Sequence, residues 1–255
     1  MSGIRVVMLP GAVVPAGLAY GALVEELGAD VHAVTKDLEV YRDDVPPRDY
    51  SLDHEVEGVR AEADGRGWER FHLVGYSAGG SAALAFAAHH PARVLSLSVL
   101  EPAWAGGWGW SAAHRQLWAS YGALENLPPA ESMRAFMRLQ VRQDVALPPA
   151  PSGSEPPWMA RRPAGIQALL HSFTSYHLDR AALSAFASPV YFALGGRSNP
   201  DQFAEEADRL SRVFADFTLE VFVDRHHFDP PHRVEPARLA RSLRATWARG
   251  EQPAP

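Results

Sequence analysis

Cysteine is absent from the 255-residue chain. Its absence excludes disulfides, catalysis by a thiolate and zinc sites with cysteine ligands. Basic residues are not in excess either, because 24 lysines and arginines stand against 30 aspartates and glutamates and the formal net charge is −6. This balance argues against nucleic-acid binding and against a surface for anionic lipid. We expect a small, neutral or weakly polar partner molecule, and homo-oligomerisation is left open.

A long uninterrupted hydrophobic run is also lacking. Residues 6–24 carry no charge, but prolines and glycines interrupt them at Pro10, Gly11, Pro15, Gly17 and Gly21. The apolar run proper covers only residues 6–9, so a strand that ends in a Pro-Gly turn explains it better than a signal peptide or a spanning helix. We therefore expect no membrane association and a cytoplasmic location.

Short apolar runs alternate with helical patterns through the first hundred residues and again near the end of the chain. Strands are predicted at residues 5–9, 30–35, 70–74, 94–100, 190–194 and 218–223. Helices are predicted at residues 17–27, 51–66, 79–89, 200–214 and 235–249. This alternation predicts an α/β fold with a doubly wound, mostly parallel sheet that is covered on both faces.

The alternation stops after residue 100. Residues 101–187 show no comparable strand and suggest several helices separated by the proline-rich loop 148–157. The chain therefore divides into a core of residues 1–100 and 188–255 and an inserted helical cap of residues 101–187. Because an open parallel sheet presents its site at the carboxyl ends of its strands, we expect the cap to lie over that edge.

Ser77 is the first candidate for chemistry. It lies in Gly75-Tyr76-Ser77-Ala78-Gly79, between a predicted strand and a predicted helix of small residues. This context is typical of a nucleophile elbow, in which the two glycines prevent collisions between strand and helix. The turn would expose the serine hydroxyl at the carboxyl edge of the sheet. The amide of Ala78, at a helix N-terminus, would point at the group attacked.

Three features together resemble the α/β-hydrolase superfamily: this elbow, Leu9-Pro10-Gly11 after the first strand, and a histidine after the last strand. The resemblance covers the chain from Val6 to Trp247 and implies a compact fold of about six strands. It also implies a triad in the chain order nucleophile, acid, base.

The base is implied by the position of a His-His pair. His226 and His227 stand where the family carries Gly-His, so His227 takes the catalytic position and His226 packs beside the site. The nearby Asp224, Asp229 and His232 raise a metal alternative, but they lack recognisable ligand spacing. No metal and no cofactor is predicted.

The acid is where the chain departs from the commonest family pattern. Many relatives carry Gly-x-x-Asp after the strand that corresponds to residues 190–194, but here Gly195-Gly196-Arg197-Ser198 ends in serine. Asp201 follows, although Asn199-Pro200-Asp201 is typical of the start of a helix. Glu101 directly follows strand 94–100, where some relatives place the acid. Glu101 is favoured, and Asp201 stays the alternative acid.

The oxyanion donors and the substrate contacts complete the predicted site. The resemblance implies that the amides of Ala78 and Ala12 hold the oxyanion, with Pro10 in place of the usual loop histidine and Gly11 kept. The cap contains five of the seven tryptophans, which predicts an apolar or aromatic pocket. The residues assigned to substrate binding are Gly11, Tyr76, Trp104, Trp108 and Trp110.

The leading hypothesis is an esterase-like serine hydrolase that forms an acyl-enzyme on Ser77. A thioesterase, a carbon-carbon bond hydrolase or a cofactor-free lyase would use much the same site, because the fold alone does not select the reaction. A small-molecule-binding protein without productive catalysis is the alternative from another class. Ser198 in the usual acid position is its best support.

Overall fold

The chain folds around one six-stranded sheet. The computed structural model describes residues 3–147 and 156–252. Its strands are β1 (Ile4–Leu9), β2 (Val31–Thr35), β3 (Phe71–Tyr76), β4 (Val94–Leu100), β5 (Val190–Gly195) and β6 (Phe217–Phe222). They pair in the order β2-β1-β3-β4-β5-β6, and every pairing is parallel. The predicted fold class is confirmed, and the carboxyl ends of all six strands lie along one edge.

Helices connect the strands. They are α1 (Ala16–Leu27), α2 (Leu52–Gly65), α3 (Ala78–His89), α4 (Ala112–Gly122), α5 (Pro129–Leu139), α6 (Arg162–Ser175), α7 (Arg180–Ser184), α8 (Glu205–Ser211), α9 (Pro231–Val234) and α10 (Pro236–Gly250). The predicted helix 200–214 differs from the structure, because a π-helical turn (Pro200–Ala204) precedes the shorter α8. The short helix α9 has no counterpart in the sequence prediction.

Both faces of the sheet are buried, as a doubly wound fold requires. Successive residues of β1 show this, since Val7 and Leu9 belong to one apolar core while Val6 and Met8 belong to another. Side chains alternate between the faces of a strand, so β1 serves both cores at once. The first core includes residues of α2 and α3, and the second includes residues of α1 and α10.

Helix α3 lies unusually close to the sheet. A Cβ atom on Gly75, in β3, would lie 2.2 Å from the carbonyl oxygen of Gly79, in the first turn of α3. The helix is buried from Ala78 to Ala87, and its alanines and glycines permit this approach. The close contact holds the N-terminus of α3 against the carboxyl end of β3.

The segment between β4 and β5 holds helices α4 to α7. Among its described residues, 101–147 and 156–187, the only β-type pairing is one antiparallel bridge from Val141 to Ser198. The predicted proline-rich loop lies outside the described residues over positions 148–155. The division into core and cap stays a prediction. None of the helices in the described residues is long and apolar enough to cross a membrane.

Replacing Gly21 by alanine should stabilise the fold. Gly21 lies within α1, and an added Cβ would meet no other atom within 4 Å. Alanine loses less backbone entropy on folding, so we expect the free energy of unfolding to rise by about 0.5–1 kcal/mol in urea titrations.

Gly79→Ala is the contrasting variant. Its Cβ would lie 2.4 Å from the carbonyl oxygen of Leu9, which is backbone and cannot easily move. We expect a loss of about 1–3 kcal/mol. Equal effects of the two substitutions would contradict this account of the packing.

Candidate active site

Ser77 occupies a strained turn between β3 and α3. Its backbone has φ 53° and ψ −121°, a conformation that costs a non-glycine residue about 1–3 kcal/mol. The turn is held from both sides, because the amide of Ser77 donates to the carbonyl of Leu100 and the amide of Gly79 donates to the carbonyl of Pro10. These two hydrogen bonds hold the backbone of the turn in place and thereby fix the position of the Ser77 hydroxyl.

A continuous line of hydrogen bonds starts at the Ser77 hydroxyl. Ser77 Oγ lies 3.0 Å from His227 Nε2, and His227 Nδ1 lies 3.0 Å from Glu101 Oε2. The second oxygen, Glu101 Oε1, accepts a 2.7 Å bond from the amide of Gly195. All three side chains are buried, with relative exposures of 6% for Ser77, 2% for His227 and 4% for Glu101.

Glu101 is the carboxylate that the structure brings to the histidine. It follows the last residue of β4 and also has a positive φ, 46°, while its amide donates to Ala193 in the neighbouring strand β5. Asp201 is exposed and does not reach His227. Its amide is capped by Asn199 Oδ1, and its carbonyl lies 2.8 Å from Nδ1 of His114.

The imidazole of His227 is packed as well as hydrogen-bonded. Phe203 stacks on it with ring centroids 4.5 Å apart and planes 13° apart. On another side lies the Tyr76 ring at 5.0 Å, and the Tyr76 hydroxyl donates to the His227 carbonyl. Phe203 was not predicted from the sequence, because its position depends on the π-helical turn Pro200–Ala204.

No hydrogen bond joins His226 to Ser77 within the described part of the chain. Its Nδ1 accepts from the amide of Phe228, and its own amide donates to Asp229. His232 is fully buried between Tyr20 and Tyr76, with ring centroids 4.9 and 4.7 Å away. These histidines therefore have packing and turn contacts that differ from those of His227.

The two predicted oxyanion donors lie beside Ser77. Ala12 and Ala78 line the same cavity as Ser77. Gly11 leaves room for this arrangement, because a Cβ there would lie 2.8 Å from the Tyr76 ring and 3.2 Å from Ser77 Cβ. Gly11 and Tyr76 thus shape the turn around Ser77.

The cavity at Ser77 is small, about 20 Å³, and its walls are mostly apolar. Its lining residues are Ala12, Ser77, Ala78, Ala103, Trp118, Tyr121, Phe136, Gln140, Ile166, Leu169, Leu170, Phe173 and Gln202. A larger groove of about 430 Å³ adjoins it between α4, α5 and α6. The two share five wall residues: Trp118, Tyr121, Phe136, Ile166 and Leu170.

None of the three tryptophans predicted to line the pocket is among the residues that line the cavity at Ser77. Trp104 stacks on Phe173 at 5.9 Å, and Trp110 stacks on Trp118 at 5.5 Å. Trp108 lies 5.9 Å from the guanidinium of Arg209. The aromatic residues that line the cavity are Trp118, Tyr121, Phe136 and Phe173.

Sequence similarity agrees with this geometry. The family model for the alpha/beta hydrolase fold matches residues 42–192. The chain belongs to the alpha/beta hydrolase fold family. The resemblance drawn from Ser77, the Leu9-Pro10-Gly11 turn and His227 is thereby confirmed at the level of the family.

Solved structures of two esterases resemble most of the chain. A thermophilic esterase from Thermogutta terrifontis is 16% identical, with a TM-score of 0.73 over 98% of this chain and 92% of that one. Naproxen esterase from Bacillus subtilis is 17% identical, with a TM-score of 0.63 over 95% and 83%. At such identities the likeness concerns the fold.

A curated relative matches part of the chain. The putative carbamate hydrolase RutD of Caulobacter segnis is 28% identical over 124 residues, which is 49% of this chain. The chain spans 40% of the length of that relative.

Burial shifts the pKa values of three titratable groups around this alpha/beta hydrolase site in the direction that favours their neutral forms. Burial raises the pKa of Glu206 well above its usual range, and neither carboxyl oxygen has a hydrogen-bond partner among the described residues. Burial likewise lowers the pKa of His232 to about 3 and raises that of Tyr76. Burial therefore favours the uncharged forms of Glu206, His232 and Tyr76.

Stability should fall in acid because folded His232 resists protonation. Its pKa drops from 6.5 to about 3 on burial, so below pH 6.5 the unfolded chain takes up a proton that the folded chain does not. The free energy of unfolding should decline as the pH falls through this window, by up to about 1.4 kcal/mol per pH unit from this group. Above the window both states are neutral and the contribution is flat.

His232→Phe should make that decline shallower in urea titrations at a series of pH values. His72, whose pKa burial also lowers to about 3, continues to contribute in the variant. His177→Phe, at an exposed position, is the matched control and should keep the original slope. An identical slope in His232→Phe and the wild type would show that His232 is not the source.

Proposed function

We propose that the chain is a serine hydrolase that cleaves an ester-like bond of a small apolar or aromatic substrate. Ser77 is the nucleophile, His227 the base and Glu101 the acid. The observation that carries the proposal is the line of two 3.0 Å contacts from Ser77 Oγ through His227 to Glu101. A serine hydroxyl needs such a base to become reactive, and the base needs a partner that orients it.

The reaction begins as Ser77 Oγ attacks the substrate carbonyl carbon and His227 Nε2 takes the hydroxyl proton. Glu101 accepts a hydrogen bond from His227 Nδ1 and stabilises the imidazolium that forms. The carbonyl oxygen becomes an oxyanion, and the amides of Ala12 and Ala78 donate to it. When the tetrahedral intermediate collapses, the proton passes from His227 to the leaving alcohol, and the acyl group stays on Ser77.

Water completes the cycle. His227 removes a proton from a water molecule, the resulting oxygen nucleophile attacks the acyl carbon, and Ser77 leaves with the proton that His227 returns. The Gly195 amide assists both the acylation and the deacylation step. It donates a hydrogen bond to Glu101 Oε1, so that Oε2 faces the imidazole of His227.

Size and polarity of the site support the substrate class. No aspartate, glutamate, lysine or arginine is among the residues that line the cavity at Ser77. The cavity of about 20 Å³ holds little more than the reacting atoms, so the larger groove of about 430 Å³ is the proposed place for the rest of the substrate. In this proposal residues 101–187 serve as a cap over the site. The five residues that line both the cavity and the groove must shift so that a carbonyl compound can reach Ser77.

The similar proteins are consistent with a substrate that carries a carbonyl group. Two of them are named esterases and one is named a putative carbamate hydrolase. Esters and carbamates both present a carbonyl carbon to a serine nucleophile. We place esters first because two of these three proteins are named esterases.

A fluorophosphonate probe tests the nucleophile. The wild type should form one covalent adduct, which peptide mapping should locate at Ser77, and Ser77→Ala should not react. Ser198→Ala is the matched control, because that buried hydroxyl has no hydrogen-bond partner among the described residues and should not be needed for labelling. A folded wild-type protein that stays unlabelled would refute the serine hydrolase proposal.

Two carboxylate variants test the acid. Glu101→Gln should lower kcat for an aryl ester by about 10³–10⁴-fold, because the imidazole loses the partner that fixes its tautomer. Asp201→Asn should leave turnover near the wild-type rate, since Asp201 does not reach His227. The rates are compared after circular dichroism has shown that both variants fold. The opposite result, with Asp201→Asn inactive and Glu101→Gln active, would reassign the acid.

A further inference from the structure

Two amide side chains interrupt the apolar walls of the cavity at Ser77. Gln202 and Gln140 both line it, and their relative exposures are 1% and 2%. Burying a polar amide in apolar surroundings is costly unless its hydrogen-bonding groups are used. Their presence therefore needs an explanation that packing alone does not supply.

Backbone contacts hold both glutamines in place. Gln202 lies in the π-helical turn Pro200–Ala204, and such turns occur frequently at functional sites. Gln140 follows α5, and its carbonyl accepts a 3.0 Å bond from the amide of Asn199. The Asn199 side chain also donates to the carbonyl of Leu139. The two segments are thus joined where their glutamines reach the cavity.

The bonds that Gln202 already makes fix its orientation but do not use its full capacity. Its Nε2 donates to the carbonyl of Ala103 at 2.8 Å, and its Oε1 accepts from the hydroxyl of Tyr121 at 2.7 Å. A side-chain amide has two N–H donors and two acceptor lone pairs. One donor and one acceptor position therefore stay open for a ligand.

Gln140 has open capacity of the same kind. Its Nε2 donates to the carbonyl of Phe136 at 3.1 Å, which uses one of the two N–H groups. Both glutamines are uncharged, and the lining carries no ionisable acid or base of the Asp, Glu, Lys or Arg type. The complementary ligand group is therefore neutral and able to accept or donate a hydrogen bond.

We infer that Gln202, assisted by Gln140, selects substrates with a hydroxyl or carbonyl group close to the bond that is cleaved. Ser77 and both glutamines line the same cavity of about 20 Å³, so the recognised group lies within a few bonds of the scissile carbonyl. A site built to bond a polar group discriminates against the analogue that lacks it, because the buried amides are then left unpaired. This inference rests on the proposed serine hydrolase function and adds the polar group to its substrate class.

Matched ester pairs test the inference. One pair carries the polar group on the acyl side, as in the p-nitrophenyl esters of 3-hydroxybutyric and butyric acid. The other pair carries it on the alcohol side, as in 2-hydroxyethyl and ethyl butyrate. For at least one pair, the wild type should have a higher kcat/KM with the hydroxylated ester. Gln202→Met should lower that ratio by about tenfold.

Gln140→Met is the second variant and should lower the same ratio, so the inference stays testable if Gln202→Met does not fold. Gln116→Met is the matched control, because this exposed glutamine of α4 lies outside the cavity, and its ratio should equal that of the wild type. The inference would be overturned if, for both ester pairs, the ratio of kcat/KM values stayed at the wild-type level in every Gln202→Met or Gln140→Met protein that folds. Fluorophosphonate labelling of Ser77 separates the outcomes, because a labelled enzyme without the preference refutes the inference alone, whereas an unlabelled one refutes the proposed function.

Discussion

The close contact between β3 and α3 is the constraint on which the site depends. Gly75 and Gly79 have no room for a Cβ atom, so the first turn of α3 rests directly on the backbone of the sheet. Ser77 lies between them in a strained conformation that neighbouring backbone bonds hold in place. Those bonds reach Leu100 at the end of β4 and Pro10 after β1, so three strand ends share one turn. The strained conformation persists because hydrogen bonds from the surrounding backbone hold it in place.

A second strained residue stands at the end of the adjacent strand. Apart from Ser77, Glu101 is the only non-glycine residue with positive φ in the described part of the chain. Its backbone and one carboxyl oxygen are bound by β5, through Ala193 and Gly195. The remaining oxygen faces His227. Both unusual conformations therefore occur where neighbouring strands end, and each places a side chain on the same imidazole.

Much of this architecture could be predicted from local sequence. The strands have apolar runs, Ser77 has its flanking glycines, and Glu101 directly follows a strand, so these patterns report on elements a few residues long. The cavity walls could not be predicted in the same way. Whether Trp104 or Trp118 faces Ser77 depends on how a glycine-rich loop and α4 pack, which is set by contacts distant in sequence. The π-helical turn likewise resembles an ordinary helix start, because Asn199 and Pro200 fit both.

The position of the proposed acid, Glu101, affects what the segment after β5 can do. Glu101, at the end of β4, already faces the imidazole of His227. The turn after Ser198 therefore does not have to supply a carboxylate to that histidine. Its π-helical residues instead place Phe203 on the imidazole of His227 and Gln202 in the cavity. One short turn thus contributes both to the packing of the proposed base and to the polarity of the proposed substrate site. Because the two side chains are adjacent in the chain, a backbone shift that alters one contact also moves the other. The proposed substrate preference is therefore coupled to the placement of His227.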